Sequence, residues 1–182
     1  MITLLIADDH PLYRDALRGA LSVSLQDIRL LEAGDLPSTI EILNKEDVDL
    51  LLLDLHMPGS NDLFGLLHVL KLYSDLPVAV VSGTEDPLNI SKIVGCGALG
   101  FIPKTAGAND IAKAIKSILD GNVWLPESVS GKIEEVDEAF SKLADNVASL
   151  TPSQYKVLCF MREGLLNKQI GYNLDIAEAT VK

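Results

Sequence analysis

The sequence predicts an α/β fold, a doubly wound parallel sheet of five strands, followed by the start of a small all-helical unit. The first observation behind this prediction is an apolar run at residues 50–53, which consists of four leucines and ends at Asp54. Such a run is typical of a strand buried on both faces, with helices on both sides of a parallel sheet. The second observation is that strand-like and helix-like segments alternate five times over residues 1–125. Right-handed crossovers then favour the strand order 2-1-3-4-5.

Each of the five strands is predicted from a short apolar segment. These segments are Ile2–Ala7, Ile28–Ala33, 48–53, 77–81 and a stretch around Phe101-Ile102. Three of the helices between them carry a proline in the first turn, at Pro11, Pro37 and Pro87. The residues expected on the buried face of the first helix are Leu12, Ala16, Leu17, Ala20 and Leu21. The third helix is predicted over 63–73, and the fifth is predicted to start at an Asn109 cap and to end at Gly121.

The character of the chain changes after residue 126. Residues 127–149 combine acidic side chains with an apolar stripe, which predicts an acidic linker helix. A helical unit begins at Leu150, with Thr151 as the cap of its first helix. The inward residues expected on that helix are Val157, Leu158, Cys159 and Met161. A second helix is predicted at Asn167–Leu174, and a third opens at Ala177-Glu178. We therefore expect three parts: a first domain at 1–125, a linker at 126–148 and a helical unit at 149–182.

Composition and charge limit the possible functions. The 182 residues are 48% hydrophobic, yet no apolar run approaches the ~18 residues of a membrane span. The apolar N-terminal stretch is too short for a signal peptide, and two cysteines provide no disulfide framework, so we expect a soluble cytoplasmic protein. The net charge of −11 divides into −8 over 1–126, −4 over 127–149 and +1 over 150–182. Only the last part is therefore a candidate for contact with nucleic acid.

Three aspartates are predicted to meet at one edge of the sheet. Asp8 and Asp9 follow the first strand and Asp54 ends the third, and these two strands flank the switch point of the predicted order. At ~4 Å and an effective dielectric constant near 20, each pair of carboxylates repels by about 4 kcal/mol. Such a pocket must hold protons or a cation, and oxygen ligands of this kind suit Mg²⁺. Read alone, Asp54 is equally consistent with a residue that only terminates a strand.

A carboxylate beside Mg²⁺ can attack a phosphoryl group, and the charge that develops on the phosphoryl oxygens then needs donors. Lys104 and Ser82 follow two other predicted strands and are placed to serve as those donors. The histidines, His10, His56 and His68, show no metal-ligand spacing, which favours surface or loop positions for them.

Residues 1–125 resemble the receiver domain of a two-component response regulator. The matching residues are Asp8-Asp9, Asp54 with Met57-Pro58, Ser82 and Lys104. The resemblance implies a flavodoxin-like fold with Asp54 as the phosphoacceptor. It also implies a Mg²⁺ site in which Asp9 and Asp54 are ligands, Asp8 acts through water, and the main-chain carbonyl of His56 is a further ligand.

The same resemblance assigns roles around the phosphoryl group. It implies that Lys104 pairs with the phosphoryl oxygens, that Ser82 hydrogen-bonds them, and that Phe101 occupies the position of the switch aromatic. One departure from the family pattern is Asp62, which stands near the place of an expected glycine.

The final 33 residues resemble the start of a LuxR/NarL-type helix-turn-helix. The matching segments are LTPSQYKVL, REGLLNKQIG and LDIAEATVK. The resemblance implies that Thr180, Val181 and Lys182 lie where the family meets DNA. Among the departures, Ser153, Gln154 and Tyr155 replace charged residues and Asp175 replaces a turn glycine. Because the family's recognition helix continues past Lys182, we expect a truncated unit that by itself binds no operator DNA.

The function implied is that of a response regulator rather than an enzyme. A sensor histidine kinase or a small phosphodonor is expected to phosphorylate Asp54 and so to control transcription through DNA binding, with a possible homodimer on phosphorylation. One alternative is a receiver that acts only as a protein-binding module. Another is an aspartate-nucleophile phosphatase of the haloacid dehalogenase type. That class needs a second acid two residues after the nucleophile, where this chain has His56.

Overall fold

The computed structural model describes residues 1–60, 62–131 and 138–181, and its centre is a five-stranded parallel sheet. The strand order is β2-β1-β3-β4-β5, which confirms the predicted order. The strands are β1 Ile2–Ala7, β2 Ile28–Ala33, β3 Leu50–Asp54, β4 Val78–Ser82 and β5 Gly100–Pro103. In-register pairing of β1 with β3 sets Ala7 beside Leu53, so that both strands end at the same edge.

Helices cover both faces of the sheet. They are α1 Pro11–Ser24, α2 Leu36–Leu43, α3 Leu63–Leu72, α4 Pro87–Gly95 and α5 Ala108–Leu119. Leu51 and Leu53 pack into the core beneath α2, α3 and α4, whereas Leu50 and Leu52 pack into the core beneath α1 and α5. This two-sided burial explains why the apolar run of β3 has no alternation.

Two details of the predicted helices were wrong. On α1, Leu17 and Leu21 are buried as expected, but Ala16 is exposed and the side chain of Leu12 is 84% exposed. The half-buried Tyr13 takes the inward position one turn before Leu17.

On α5, the N-cap is Gly107 rather than Asn109. The turn after β5 closes sooner than expected, because Ala106 N–H donates to the Pro103 carbonyl at 3.0 Å.

Among the described residues, four helices follow the sheet and its five helices. They are α6 Glu138–Ala148, α7 Pro152–Arg162, α8 Asn167–Leu174 and α9 Glu178–Val181. Residues 132–137 of the predicted linker helix lie outside the described residues. A capping box between Thr151 and Gln154 starts α7 and confirms the predicted cap. The predicted inward face of α7 was partly wrong, because Met161 is 54% exposed and Tyr155 is the buried residue.

The turn between α8 and α9 is built on a left-handed residue. Asp175 has φ 53° and ψ 45° at the end of α8, which explains how this aspartate takes the place of a turn glycine. The buried Ile170 on α8 anchors the pair of helices. Over the described ranges, none of the helices is long and apolar enough to cross a membrane.

Candidate functional site

The three predicted carboxylates meet at the carboxyl edge of the sheet. Asp8 and Asp54 are each 1% exposed, and the side chain of Asp9 is 32% exposed at the rim. One ligand atom from each, together with one from His10, lies within 4.8 Å of all the others. Carboxylate oxygens gathered in this way suit a hard dication, so the chemistry of the donor set fits Mg²⁺.

Lys104 neutralises the buried part of this pocket. Its Nζ lies 2.7 Å from Asp8 Oδ2 and 2.9 Å from Asp54 Oδ2, and 5.1 Å from the centre of the Tyr13 ring. Burial alone would lower the pKa of Lys104, but hydrogen bonds to the two aspartates and their charges raise it. The ammonium therefore stays charged and holds both carboxylates. Burial and the charges of Asp8 and Asp54 also raise the pKa of Tyr13.

Ser82 and Phe101 occupy the neighbouring strands. Ser82 ends β4, is 4% exposed, and its Oγ accepts a hydrogen bond from Thr84 N–H at 3.3 Å. The Ser82 carbonyl accepts from Lys104 N–H at 2.8 Å, which ties the two loops together. Phe101, on β5, is 1% exposed within the apolar core. The structure thus brings Ser82 to the edge of the site and keeps Phe101 inside the fold.

Two histidines border the carboxylates. His56 N–H donates to Asp54 Oδ1 at 3.0 Å, and its imidazole is largely exposed. His10 N–H donates to Asp8 Oδ1 at 2.8 Å, and its Nδ1 lies 3.1 Å from Asp8 Oδ1 and 2.7 Å from Asp9 Oδ1. The expectation of surface or loop positions holds for His10 and His56 but is wrong for His68, which is 8% exposed on α3, where the ring of Tyr155 covers it.

The loop after Asp54 connects the pocket to the helical unit. Its Asp62 has φ 61°, a conformation that favours glycine, at the place where the family pattern expects one. Asp62 pairs with Arg162 on α7. The Ser60 carbonyl accepts a hydrogen bond from Tyr155 Oη at 3.2 Å. A cavity of about 780 Å³ lies beside this contact, between α2, α3 and α7.

Of the three residues expected at DNA, two are described. Thr180 is exposed on α9, and Val181 at its end is half-buried. Lys182 lies outside the described residues. Sequence reasoning missed Tyr155 as a contact residue, because it is polar and periodicity did not mark it.

A five-stranded parallel sheet with carboxylates and a lysine at one edge defines a receiver domain, and comparison with protein families agrees. The family model "Response regulator receiver domain" matches residues 4–116, and the model "Bacterial regulatory proteins, luxR family" matches residues 148–182. The chain therefore belongs to the NarL/LuxR-type response regulators, which function in two-component regulation of transcription.

Individual relatives agree with this assignment. The chain is 38% identical to the glycerol metabolism activator of Pseudomonas putida, over 100% of this chain and 85% of that protein. It is 31% identical to the nitrate/nitrite response regulator NarP of Escherichia coli, over 98% and 83% of the two chains. The structure superposes on the RcsB response regulator of Salmonella typhimurium with TM-score 0.68, at 25% identity over 100% and 87% of the two chains.

The expected truncation is not supported. The luxR-family model matches residues 148–182, which include α7, α8 and α9. The expectation that this chain by itself binds no operator DNA depended both on that truncation and on the low net charge of +1 over residues 150–182, and it stays untested.

Proposed function

We propose that Asp54 accepts a phosphoryl group from a sensor histidine kinase and that this modification controls DNA binding by the helical unit. The observation that carries the proposal is the position of Lys104 Nζ between Asp54 Oδ2 and Asp8 Oδ2, beside the Asp9 carboxylate. We propose residues 1–125 as the receiver, 126–148 as the linker and 149–182 as the output unit. In this role the chain accepts a phosphoryl group rather than turning over a substrate.

The chemistry follows from the charges of the pocket. An Asp54 oxygen forms a bond to phosphorus, and the bond to the kinase imidazole breaks, leaving that nitrogen with the electron pair. Asp9, Asp54 and the His56 carbonyl would hold Mg²⁺, with Asp8 acting through water, and the ion would supply positive charge toward the phosphoryl oxygens. The ammonium group of Lys104 then forms its ion pair with those oxygens instead of with the carboxylates of Asp8 and Asp54. Ser82 then turns its hydroxyl away from Thr84 and donates to them.

Phosphorylation of Asp54 acts on the output unit by shifting the loop that follows Asp54. Ser60 and Asp62 of this loop hold Tyr155 and Arg162 of α7, so a shift of the loop changes how α7 docks. On the other side of the site, movement of Ser82 lets Phe101 change its packing. Release of α7 frees α8 and α9, where Thr180, Val181 and Lys182 are the proposed DNA contacts.

Solved relatives support the DNA-binding part of the proposal. RcsB from Salmonella enterica, which is 27% identical to this chain, has been solved bound to promoter P1flhDC in the presence of phosphomimetic BeF3⁻, and two RcsB dimers have been solved bound to two parallel DNAs. A homodimer formed on phosphorylation is therefore proposed here as well. The excess of acidic residues in 1–149 makes release of the +1 unit favourable for binding to phosphates.

The test is phosphorylation with acetyl phosphate and Mg²⁺, followed by intact-mass spectrometry and gel-shift assays on a promoter fragment. We expect one added phosphoryl group in the wild type and in Asp75→Asn, a control at an exposed aspartate, and none in Asp54→Asn. Phosphorylated wild-type protein should bind DNA more tightly than the unmodified protein. Modification that persists in Asp54→Asn would assign the phosphoryl group to another residue.

A further inference from the structure

The cavity between α2, α3 and α7 has the size and lining of a small-molecule site. Its volume is about 780 Å³. Ligand pockets typically measure ~300–1,000 Å³ and occur preferentially at domain interfaces, where apolar and aromatic side chains line them. Here the apolar lining comes from α2, α3, α7 and α8, and it includes Ile40, Leu72, Phe160 and Leu174. The cavity therefore favours a ligand whose body is apolar.

The charged side chains of the cavity wall balance each other. Among the described residues that line the cavity, only Lys156 of α7 and Glu163, the C-cap of that helix, carry a charge at neutral pH. The two residues are seven positions apart, which corresponds to about 10 Å along a helix. Both side chains are exposed to solvent. Because these charges are opposite in sign and solvated, the cavity as a whole favours a neutral ligand over an anion or a cation.

His68 adds a buried polar group without a protein partner. It is 8% exposed, lines the cavity from α3, and stacks on the ring of Tyr155. Among the described residues, none makes a hydrogen bond to its ring nitrogens. Burial lowers the pKa of His68, so the imidazole is neutral at pH 7 and provides one donor nitrogen and one acceptor nitrogen. Since buried polar groups are normally hydrogen-bonded, the edge of this ring is available to a group that enters the cavity.

The polar groups next to His68 already have partners in the protein. Tyr73 Oη donates a hydrogen bond to Asn44 Oδ1 at 2.9 Å. Tyr155 Oη donates to the Ser60 carbonyl at 3.2 Å, while its ring lines the cavity and offers an aromatic surface for stacking. His68 is therefore the polar anchor that this wall offers to a ligand. A hydroxyl group suits the neutral imidazole, because it can donate to one ring nitrogen or accept from the other.

We propose that this cavity binds a neutral, flat aromatic molecule that carries a hydroxyl group, and that this hydroxyl is hydrogen-bonded to the His68 imidazole. The ligand contacts α2 and α3 on one side and α7 on the other. It therefore binds only while α7 is docked, and it shifts the equilibrium toward the docked arrangement. Binding does not require phosphorylation of Asp54. Only its consequence, that the ligand opposes release of the helical unit, rests on the proposed function.

The probe is 2-naphthol, which is neutral at pH 7, and its binding to the unphosphorylated whole chain is measured by fluorescence titration. Naphthalene lacks the hydroxyl group, and 2-naphthoate carries a negative charge. We expect 2-naphthol to bind about fivefold more tightly than naphthalene, which is the usual worth of one hydrogen bond. 2-Naphthoate should bind more weakly than 2-naphthol, because burial of its charge is costly.

His68→Phe is the decisive variant, since it keeps an aromatic ring to stack on Tyr155 and removes the hydrogen-bonding nitrogens. In this variant the affinity for 2-naphthol should fall about fivefold, to that of naphthalene, whereas the affinity for naphthalene should stay at the wild-type value. Tyr172→Phe, at an exposed position of α8 outside the cavity, is the control and should bind both probes as the wild type does. Saturating 2-naphthol should also slow hydrogen exchange in α7 of the wild type.

The inference is overturned if 2-naphthol does not bind, if it binds no more tightly than naphthalene, or if it binds His68→Phe as tightly as the wild type. Binding without slower exchange in α7 overturns it as well, because the probe would then occupy a different surface. Failure of the proposed function would look different. Absence of phosphorylation at Asp54 would leave all of these affinities unchanged, since they are measured on the unphosphorylated protein.

Discussion

Tyr155 of α7 stacks on His68 of α3, with ring centroids 4.2 Å apart and planes inclined by 3°. Tyr155 is 4% exposed and His68 is 8% exposed, so the pair excludes solvent at the boundary between receiver and helical unit. The hydroxyl of Tyr155 donates to the Ser60 carbonyl in the loop that begins at Asp54. The side chain of Tyr155 therefore contacts both α3 and the loop of the candidate phosphorylation site.

Removal of the Tyr155 ring should open this boundary. We expect Tyr155→Ala to expose α7 to hydrogen exchange and proteolysis in the unphosphorylated protein, because the stack and the hydrogen bond are lost together. Tyr155→Phe keeps the stack and should cost only about 1 kcal/mol, the usual value of one hydrogen bond. Tyr172→Phe, at a side chain that is 88% exposed, is the control. Unchanged exchange of α7 in Tyr155→Ala would show that the boundary is held elsewhere.

The stack should also make stability depend on pH. Burial lowers the pKa of His68 from its ordinary value of 6.5, so the unfolded chain binds the proton more readily than the folded one. The contribution of His68 is then complete above pH 6.5 and is lost as the pH falls below 6.5 toward the folded-state pKa. Urea unfolding at several pH values should show this loss. His68→Phe should flatten the slope, and an equal slope in this variant and in the wild type would contradict the assignment.

The sheet and its acidic edge were predictable because local patterns determine them. The leucine run of β3 and the polar residues at strand ends depend only on burial and strand order. The role of Tyr155 was not predictable in this way, because the inward face of α7 is set by the receiver surface across the domain boundary rather than by the periodicity of the helix.

Lys104 should stabilise the metal-free protein. In Lys104→Met the carboxylates of Asp8 and Asp54 remain buried without a cation, and we expect a loss of about 2 kcal/mol in free energy of unfolding, because Lys104 is partly accessible to solvent. Addition of Mg²⁺ should restore more stability to this variant than it adds to the wild type. Lys113→Met, which removes an exposed pair with Asp110, should change stability by less than about 0.5 kcal/mol. Equal losses in the two lysine variants would refute the proposed role.

Asp9 should have the opposite effect in the absence of metal. It is the carboxylate of the pocket that Lys104 does not pair with, so Asp9→Ala relieves repulsion from Asp8 and Asp54. We expect a higher melting temperature without Mg²⁺, together with weaker Mg²⁺ binding measured by calorimetry. A clear fall in the metal-free melting temperature would instead indicate a structural role for Asp9.

Gly65 on α3 should be the most sensitive glycine of the loop–helix junction. A Cβ at this position would meet the carbonyl and hydroxyl oxygens of Ser60, and would lie 2.7 Å from its Cα. Ser60 is fully buried and its carbonyl holds Tyr155, so the added methyl group must displace the loop. Overpacking of this kind costs typically about 1–3 kcal/mol, which outweighs the gain of about 1 kcal/mol from alanine in a helix.

Gly19→Ala on α1 is the matched control, because nothing lies within 4 Å of a Cβ there. We expect it to raise stability by about 0.5–1 kcal/mol, whereas Gly65→Ala lowers it, both measured by urea unfolding. Because displacement of Ser60 also withdraws the acceptor of Tyr155, Gly65→Ala should in addition increase hydrogen exchange in α7 before any phosphorylation. A Gly65→Ala protein as stable as Gly19→Ala, with wild-type exchange in α7, would mean that the loop yields without transmitting its shift to the helical unit.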